Sequence, residues 1–345
     1  MHGAMKIGSG SWVRGAAMVL LIGLLLFLPV AATAGKPSSP PPSGKWIYYT
    51  AGGGLWKMAS DGSNMTSLPG TWGWRMSDVR YDDSYWAVRT EVCGRTPEGY
   101  QRYKLIVGPA ETSGTPIVLL DDANVNPIYY APTFRPGTTP RVTFSAVVWD
   151  EYGAFSAGLY QVTFSTDGET IGDPELLLAC DTFDDWLNPD YTETVPQLTH
   201  HDWLDEDTLV YGDHAYQYWG NGGSLQAQLY MGDIDDDPSY HTALIADGQP
   251  LMGFGVHFNA DGSKVIYNCA YTGIYEVATG GNSTPVRWVA DLQAGPIDWL
   301  DDDTIVYQSF SYRKNRHDLY KMKRGGGATC LTKDVTGGAQ GCGVR

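Results

Sequence analysis

Five of the seven histidines, His200, His201, His214, His241 and His257, fall in one stretch of the chain. Imidazole is a common metal ligand, so shared ligation is the first chemistry to weigh. No two of the five have a spacing that fixes a common metal, and ordinary strand and loop positions are the plainer expectation. Asp233-Ile234-Asp235-Asp236-Asp237 offers oxygen ligands for calcium, but lacks the loop glycine and closing glutamate of an EF-hand. An acidic solvated hairpin is the simpler reading. No G-x-S-x-G elbow, H-E-x-x-H pair or G-x-x-x-x-G-K-S/T phosphate loop occurs. No catalytic residue is assigned on motif grounds. Aromatic side chains supply large contact area, and Trp72, Trp74, Trp149, Trp186 and Trp219 fall outside the regular pattern described next. They are the candidates for a recognition face.

The elements that position these residues repeat along the chain. Leu55-Trp56-Lys57-Met58, Leu159-Tyr160-Gln161-Val162, Leu229-Tyr230-Met231-Gly232, Ile274-Tyr275-Glu276-Val277 and Leu319-Tyr320-Lys321-Met322 are copies of one strand, with Tyr103-Lys104-Leu105-Ile106 a looser one. A second pattern runs upstream: an aromatic, an Asp/Gly turn and another strand. It is seen in Phe258-Asn259-Ala260-Asp261-Gly262-Ser263-Lys264 and in the stretches opened by Trp203 and Trp299. Four short antiparallel strands repeated at intervals of tens of residues describe a β-propeller blade. Five blades are predicted at 75–121, 129–181, 195–247, 252–291 and 294–334. Residues 45–68 supply three more strands, and 337–345 the missing innermost one. The expected fold is all-β: a six-bladed propeller of four-stranded antiparallel blades, its ring closed by strands from both ends, which removes open sheet edges.

Aligning the copies on their aromatic puts Asp78, Thr133, Asp202, His257 and Asp298 at one equivalent position of the innermost strand. Strand side chains alternate. If the aromatic wedges between blades, these five residues line the central channel as a binding level. The expectation is a hydrated or cation-occupied channel, with calcium the ion that mainly oxygen ligands favour; the plainer alternative is that the Asp caps the turn or bonds a neighbouring blade.

Composition frames the function. The formal charge of −16 argues against nucleic acid, because phosphate binding needs basic surface. Lys6 and Arg14, an apolar run at 16–30 and Ala32-Thr33-Ala34 read as a secretory signal peptide cut after Ala34. The run is shorter than the roughly 20 residues of a membrane span. No lipid-attachment cysteine follows it, so the chain is expected to be secreted or periplasmic with no anchor. Residues 35–44 form a Pro/Ser linker, and 45–345 the propeller. The cysteine count of five is odd, which leaves at least one out of any intrachain pairing, and Cys330 with Cys342 could staple the C-terminus.

Phe258-Asn259-Ala260-Asp261-Gly262-Ser263-Lys264 and Leu55-Trp56-Lys57-Met58-Ala59-Ser60-Asp61-Gly62-Ser63 resemble the WD40-like Pro-Asp repeats of TolB-type six-bladed propellers. The resemblance covers most of the chain after the linker and implies the fold. TolB carries an α/β domain ahead of its propeller, and none is expected here, so its envelope role is not implied. The propellers that cap prolyl oligopeptidases are similar, but the hydrolase domain is not expected either. The histidine-bearing blades loosely resemble oligogalacturonate lyases, propellers with a His-bound metal. That implies an alternative: a metal-assisted polysaccharide lyase or hydrolase. The leading expectation is a monomeric, non-enzymatic scaffold that binds a protein or a glycan on one loop-bearing face.

Overall fold

A strand buries alternate residues on opposite sides, and the Leu-Tyr repeat uses both. In the computed structural model the described residues are 44–69, 76–80, 86–95, 101–122, 125–127, 132–149, 155–179, 195–216, 226–249, 254–269, 272–291 and 293–344. They form six antiparallel sheets. The first blade is β1 (Trp46–Ala51), β2 (Gly54–Ala59) and β3 (Thr66–Ser67), with β25 (Gln340–Val344) as its innermost strand. The second is β4 (Met76–Arg80), β5 (Trp86–Arg95), β6 (Gln101–Pro109) and β7 (Ile117–Leu120). In the third, β8 (Val125–Pro127) and β9 (Thr133–Arg135) share the inner edge of β10 (Arg141–Trp149), followed by β11 (Phe155–Thr163) and β12 (Glu175–Ala179). The fourth is β13 (Val195–Trp203), β14 (Thr208–Tyr216), β15 (Gln226–Asp233) and β16 (Thr242–Ala243). The fifth is β17 (Phe254–Phe258), β18 (Lys264–Cys269), β19 (Gly273–Ala278) and β20 (Val286–Val289). The sixth is β21 (Ala294–Asp301), β22 (Thr304–Ser311), β23 (Arg316–Lys323) and β24 (Ala328–Cys330).

The ring closes as expected: β1 pairs β25 antiparallel, with Ile47 opposite Val344 and Thr50 opposite Gln340. The cysteine staple does not form, because Cys330 makes no disulfide. Residues 1–43, with the expected signal peptide and most of the linker, lie outside the described residues. Among the described residues no helix is long and apolar enough to cross a membrane.

There is no single core. Six apolar clusters fill the six seams between neighbouring blades. Each blade contributes to two of them. The leucine of the repeat points forward to the next blade, and the tyrosine points back. Leu229 enters the seam with the fifth blade, while Tyr230 packs against the seam with the third. The backward tyrosine also meets an aromatic directly opposite on the preceding strand. Tyr49–Trp56, Phe144–Tyr160, Tyr211–Tyr230, Tyr267–Tyr275 and Tyr307–Tyr320 stack with centroids 6.5, 6.2, 5.9, 5.9 and 5.3 Å apart. Such cross-strand pairs contribute roughly 0.2–1 kcal/mol each beyond an Ala pair. Burying leucine and tyrosine on opposite faces of one strand commits each sheet to a neighbour on both sides. A radial ring satisfies that requirement.

Candidate functional site

The innermost strands β4, β9, β13, β17, β21 and β25 follow one another around the axis. In five of these strands the residue at the aromatic position of the repeat faces the preceding blade. Val79, Phe134, Trp203, Phe258 and Trp299 sit in the seams with the first, second, third, fourth and fifth blades respectively. The residue before each lies on the other side of its strand.

Asp78 shows what the position does. Its Oδ2 accepts from Thr133 Oγ1 at 2.8 Å and from the Phe134 amide at 3.0 Å, both on the next blade. Its Oδ1 accepts from the Val79 amide at 2.7 Å. Asp202 repeats the clamp one pair of blades later: Oδ2 accepts from the Phe258 amide at 2.9 Å. Asp298 Oδ1 accepts from the Trp299 amide at 2.7 Å. The Trp299 indole donates to the His257 carbonyl at 3.0 Å. Asp78 with Thr133, and Asp202 with the Phe258 amide, thus bond across seams between blades, His257 stands 3.9 Å from Asp202, and the Asp298 contact named here stays within its own strand. Among the described residues no group of three or more His, Cys, Asp or Glu is placed to hold a metal ion. The carboxylate oxygens named here accept from backbone amides and a hydroxyl.

The level differs around the ring. Asp78 is buried, at 6 % exposure. Asp202, His257 and Asp298, on three consecutive blades, are only partly buried. The side chains of His257 and Asp202 are 31 % and 22 % exposed, with Nδ1 3.9 Å from Oδ2. Asp202, His257 and Asp298 place two carboxylates and an imidazole, each partly open to water, on these three inner strands, and such groups can exchange protons with a bound molecule.

His201 lies beside this level but is entirely buried. It faces the third blade, where its Nε2 is 2.7 Å from Thr143 Oγ1. Thr143 Oγ1 also accepts from the Trp203 indole at 2.9 Å. Nδ1 of His201 has no hydrogen-bond partner among the described residues. Burial pushes its pKa down to about 3, against a weaker upward pull from the Asp78 charge. The fifth blade has Val256, also buried, two residues before its aromatic, where the fourth has His201. His241 is structural too. Its Nε2 donates to the Asp233 carbonyl at 2.9 Å, which leaves Nδ1 to accept from the Tyr211 hydroxyl at 2.9 Å. The histidines do not converge. The side chain of His214 lies outside the described residues, and His200 sits in β13, half-buried.

The Asp233–Asp237 run is an exposed turn that satisfies itself. Asp233 Oδ1 accepts from the Asp235 amide at 3.0 Å, and Asp237 caps a single 3-10 turn at Pro238–Tyr240 through the Ser239 amide. Of the proposed recognition tryptophans, Trp72, Trp74, Trp186 and Trp219 lie outside the described residues. Trp149 ends β10, and its side chain is likewise not described.

Sequence reasoning missed the hairpin between β22 and β23. Tyr312 there is 74 % exposed, beside Arg313, Lys314 and Arg316. The signal was present as Arg313-Lys314-Asn315-Arg316-His317, a cationic run in a chain of net charge −16.

No known protein family matches the chain, and no curated protein does. Solved structures do. An α-L-arabinanase of Penicillium chrysogenum, complexed with arabinobiose, aligns at 11 % identity and TM-score 0.50 over 83 % of this chain and 91 % of its own. An endo-arabinase of Bacteroides thetaiotaomicron aligns at 13 % identity and TM-score 0.36 over 70 % and 87 %. The propeller domain of the Trilobed protease of Pyrococcus furiosus aligns at 10 % identity and TM-score 0.33 over 74 % and 82 %. At these identities the likeness is one of fold. It is enough to overturn the expectation of a non-enzymatic scaffold. That expectation rested on complete blade repeats and the absence of a catalytic constellation in the sequence, and the arabinanase is an enzyme that shares this fold over 91 % of its length.

Proposed function

We propose that the chain is a carbohydrate-active enzyme that cleaves glycosidic bonds at the inner ring. The observation that carries the reading is the partly exposed Asp202–His257–Asp298 level on three consecutive innermost strands. Glycoside cleavage needs two carboxyl groups on either side of the scissile bond, one to protonate the leaving oxygen and one to act as base or nucleophile. Asp202 and Asp298 are the residues we assign to that pair. His257 Nδ1 lies 3.9 Å from Asp202 Oδ2. The backbone amides of Phe258 and Trp299 hold both carboxylates in place, as a preorganised site requires. The arabinanase likeness supports the substrate class. The Asp/Gly-turn repeats support kinship with TolB-type propellers, and the basic-then-apolar N-terminus supports export, where polysaccharide is encountered.

Reducing-end release from a panel of neutral and acidic polysaccharides tests the proposal. The wild type should act on at least one. Asp298→Asn, which keeps an Oδ1 acceptor for the Trp299 amide, should remove 100-fold or more of that activity while melting normally. The proposal fails if no polysaccharide is cut, or if Asp298→Asn cuts as fast as the wild type.

A further inference from the structure

The β22–β23 hairpin is a stem with a fixed base and an open tip. At the base, Asp318 is completely buried and meets two cations, Lys314 Nζ at 3.0 Å and Arg316 Nη2 at 2.9 Å. Arg316 also donates to the Val335 and Lys333 carbonyls at 2.7 and 2.9 Å. That pins the segment between β24 and β25 against the stem, and the Ala339 amide donates to the His317 carbonyl at 2.9 Å. The pinned segment runs from the outer edge of the sixth blade to the innermost strand of the first, so the hairpin stands on the face it crosses towards the axis. Asn315 turns the tip with φ 49°.

The tip itself is unspent. Tyr312 stands edge-on to Phe310 with centroids 5.1 Å apart, which leaves it 74 % exposed. Arg313 is exposed and makes no hydrogen bond or ion pair with any described residue. Lys333, also exposed, lies on the pinned segment. An exposed aromatic ring and the exposed Arg313 therefore stand next to each other in the chain on a protein of net charge −16.

The overall charge does not forbid an anionic ligand here. The turns Asp205-Glu206-Asp207 and Asp301-Asp302-Asp303 join each innermost strand to the second, and the Asp233–Asp237 turn joins the third strand to the fourth. All three lie at the opposite end of the blades from 312–315. The eight residues of β22 separate the ends by roughly 25 Å at about 3.3 Å per residue. At physiological salt the Debye length is about 8 Å, so the acidic turns are screened from the tip.

We propose that the hairpin tip binds a carboxylate-bearing sugar, with Arg313 on the carboxylate and the Tyr312 ring against the sugar, and that the enzyme's substrate is an acidic glycan. Guanidinium suits this task because its planar fork engages a carboxylate through two parallel hydrogen bonds. The ring offers a rigid apolar face with little rotamer entropy to lose. The inference rests on the carbohydrate-cleaving reading above and narrows it.

Electrophoresis through gels containing polygalacturonate, or the same polymer with its carboxyl groups reduced to alcohols, tests it. The wild type should be retarded by the acidic polymer and pass the neutral one. Arg313→Gln should bind the acidic polymer about tenfold more weakly, the order of one charge-assisted contact, and Tyr312→Ala should also lose retardation. Lys323→Gln removes the same charge from an exposed residue at the far end of β23, and should behave as wild type. Equal loss in Lys323→Gln would make the effect bulk ion exchange and overturn the site. So would an unchanged Arg313→Gln. Retardation by the neutral polymer alone refutes the acidic substrate and leaves glycan cleavage standing. No retardation in either gel also refutes it, while the reducing-end assay decides the broader function separately.

Discussion

Acidification from pH 7 to pH 5 should destabilise this propeller through His201 alone by about 2 kcal/mol. The folded chain holds His201 neutral, because burial pushes its pKa down to about 3, while the unfolded chain lets it titrate near its ordinary 6.5. Between those values the unfolded state takes up a proton that the folded state refuses, so stability falls as pH falls through that window. At pH 5 the unfolded histidine lies about 1.5 units above the pH, and each unit is worth about 1.36 kcal/mol. The result does not depend on how far below 5 the folded value lies. The groups facing the imidazole do not rescue it. Thr143 Oγ1 also holds the Trp203 indole, and Asp78 is committed to Thr133 and Phe134. Urea unfolding of wild type and His201→Val at pH 7 and pH 5 isolates the group. Valine matches Val256 in the fifth blade and binds no proton, so the variant carries its own penalty at both pH values. The expected observation is a wild-type loss about 2 kcal/mol greater than the variant's between the two. Parallel losses would mean that His201 is protonated in the folded protein and that burial does not hold it neutral.

Three further outcomes follow from the clasps and the closure. Deleting 340–345 removes β25, exposes the inner edge of β1 and should abolish the cooperative calorimetric transition of the ring; an unchanged endotherm would show closure by other strands. Arg316→Met leaves Asp318 buried with one cation and unties the segment ahead of β25, so denaturant midpoints should report a loss of about 3 kcal/mol, typical of a broken buried pair. Tyr211→Phe removes the donor to His241 Nδ1 and should cost about 1 kcal/mol, whereas a neutral effect would place that hydrogen bond in competition with water.

The fold was legible because the repeat carries its own physics. Leucine and tyrosine in adjacent strand positions announce a sheet buried on both faces, and the Asp/Gly turns mark where each strand ends. The closing strand could be placed by counting, since 45–68 lacked one partner. The split inner strand of the third blade was not legible: β8 and β9 are three residues each, too short to leave a periodic trace. The Cys330–Cys342 staple rested on sequence proximity, which says nothing about whether two side chains meet.

The inner-ring residues show where sequence periodicity stops. Alternation told that Asp202 and Trp203 face opposite ways, but it fixes only two faces and not what lies beyond each. In a flat sheet over a core the second face meets water; in a radial blade its residues reach neighbouring blades, as Asp78 and Thr133 do. Asp78 is therefore a clasp, accepting three hydrogen bonds, two of them across the seam. The same position becomes chemically available only where the seam leaves it partly open, as at Asp202, His257 and Asp298. Which seams are open depends on what stands opposite. Thr133 presents a hydroxyl that Asp78 can engage, whereas His257 presents a ring that stays 3.9 Å from Asp202 and keeps part of its surface in water. A Thr133-like partner at 257 should close that seam. His257→Thr is therefore expected to stabilise the ring while removing the imidazole from the site. Higher thermal stability with lower glycan cleavage is the predicted pairing. Lower stability would show that the imidazole itself holds the fourth and fifth blades together.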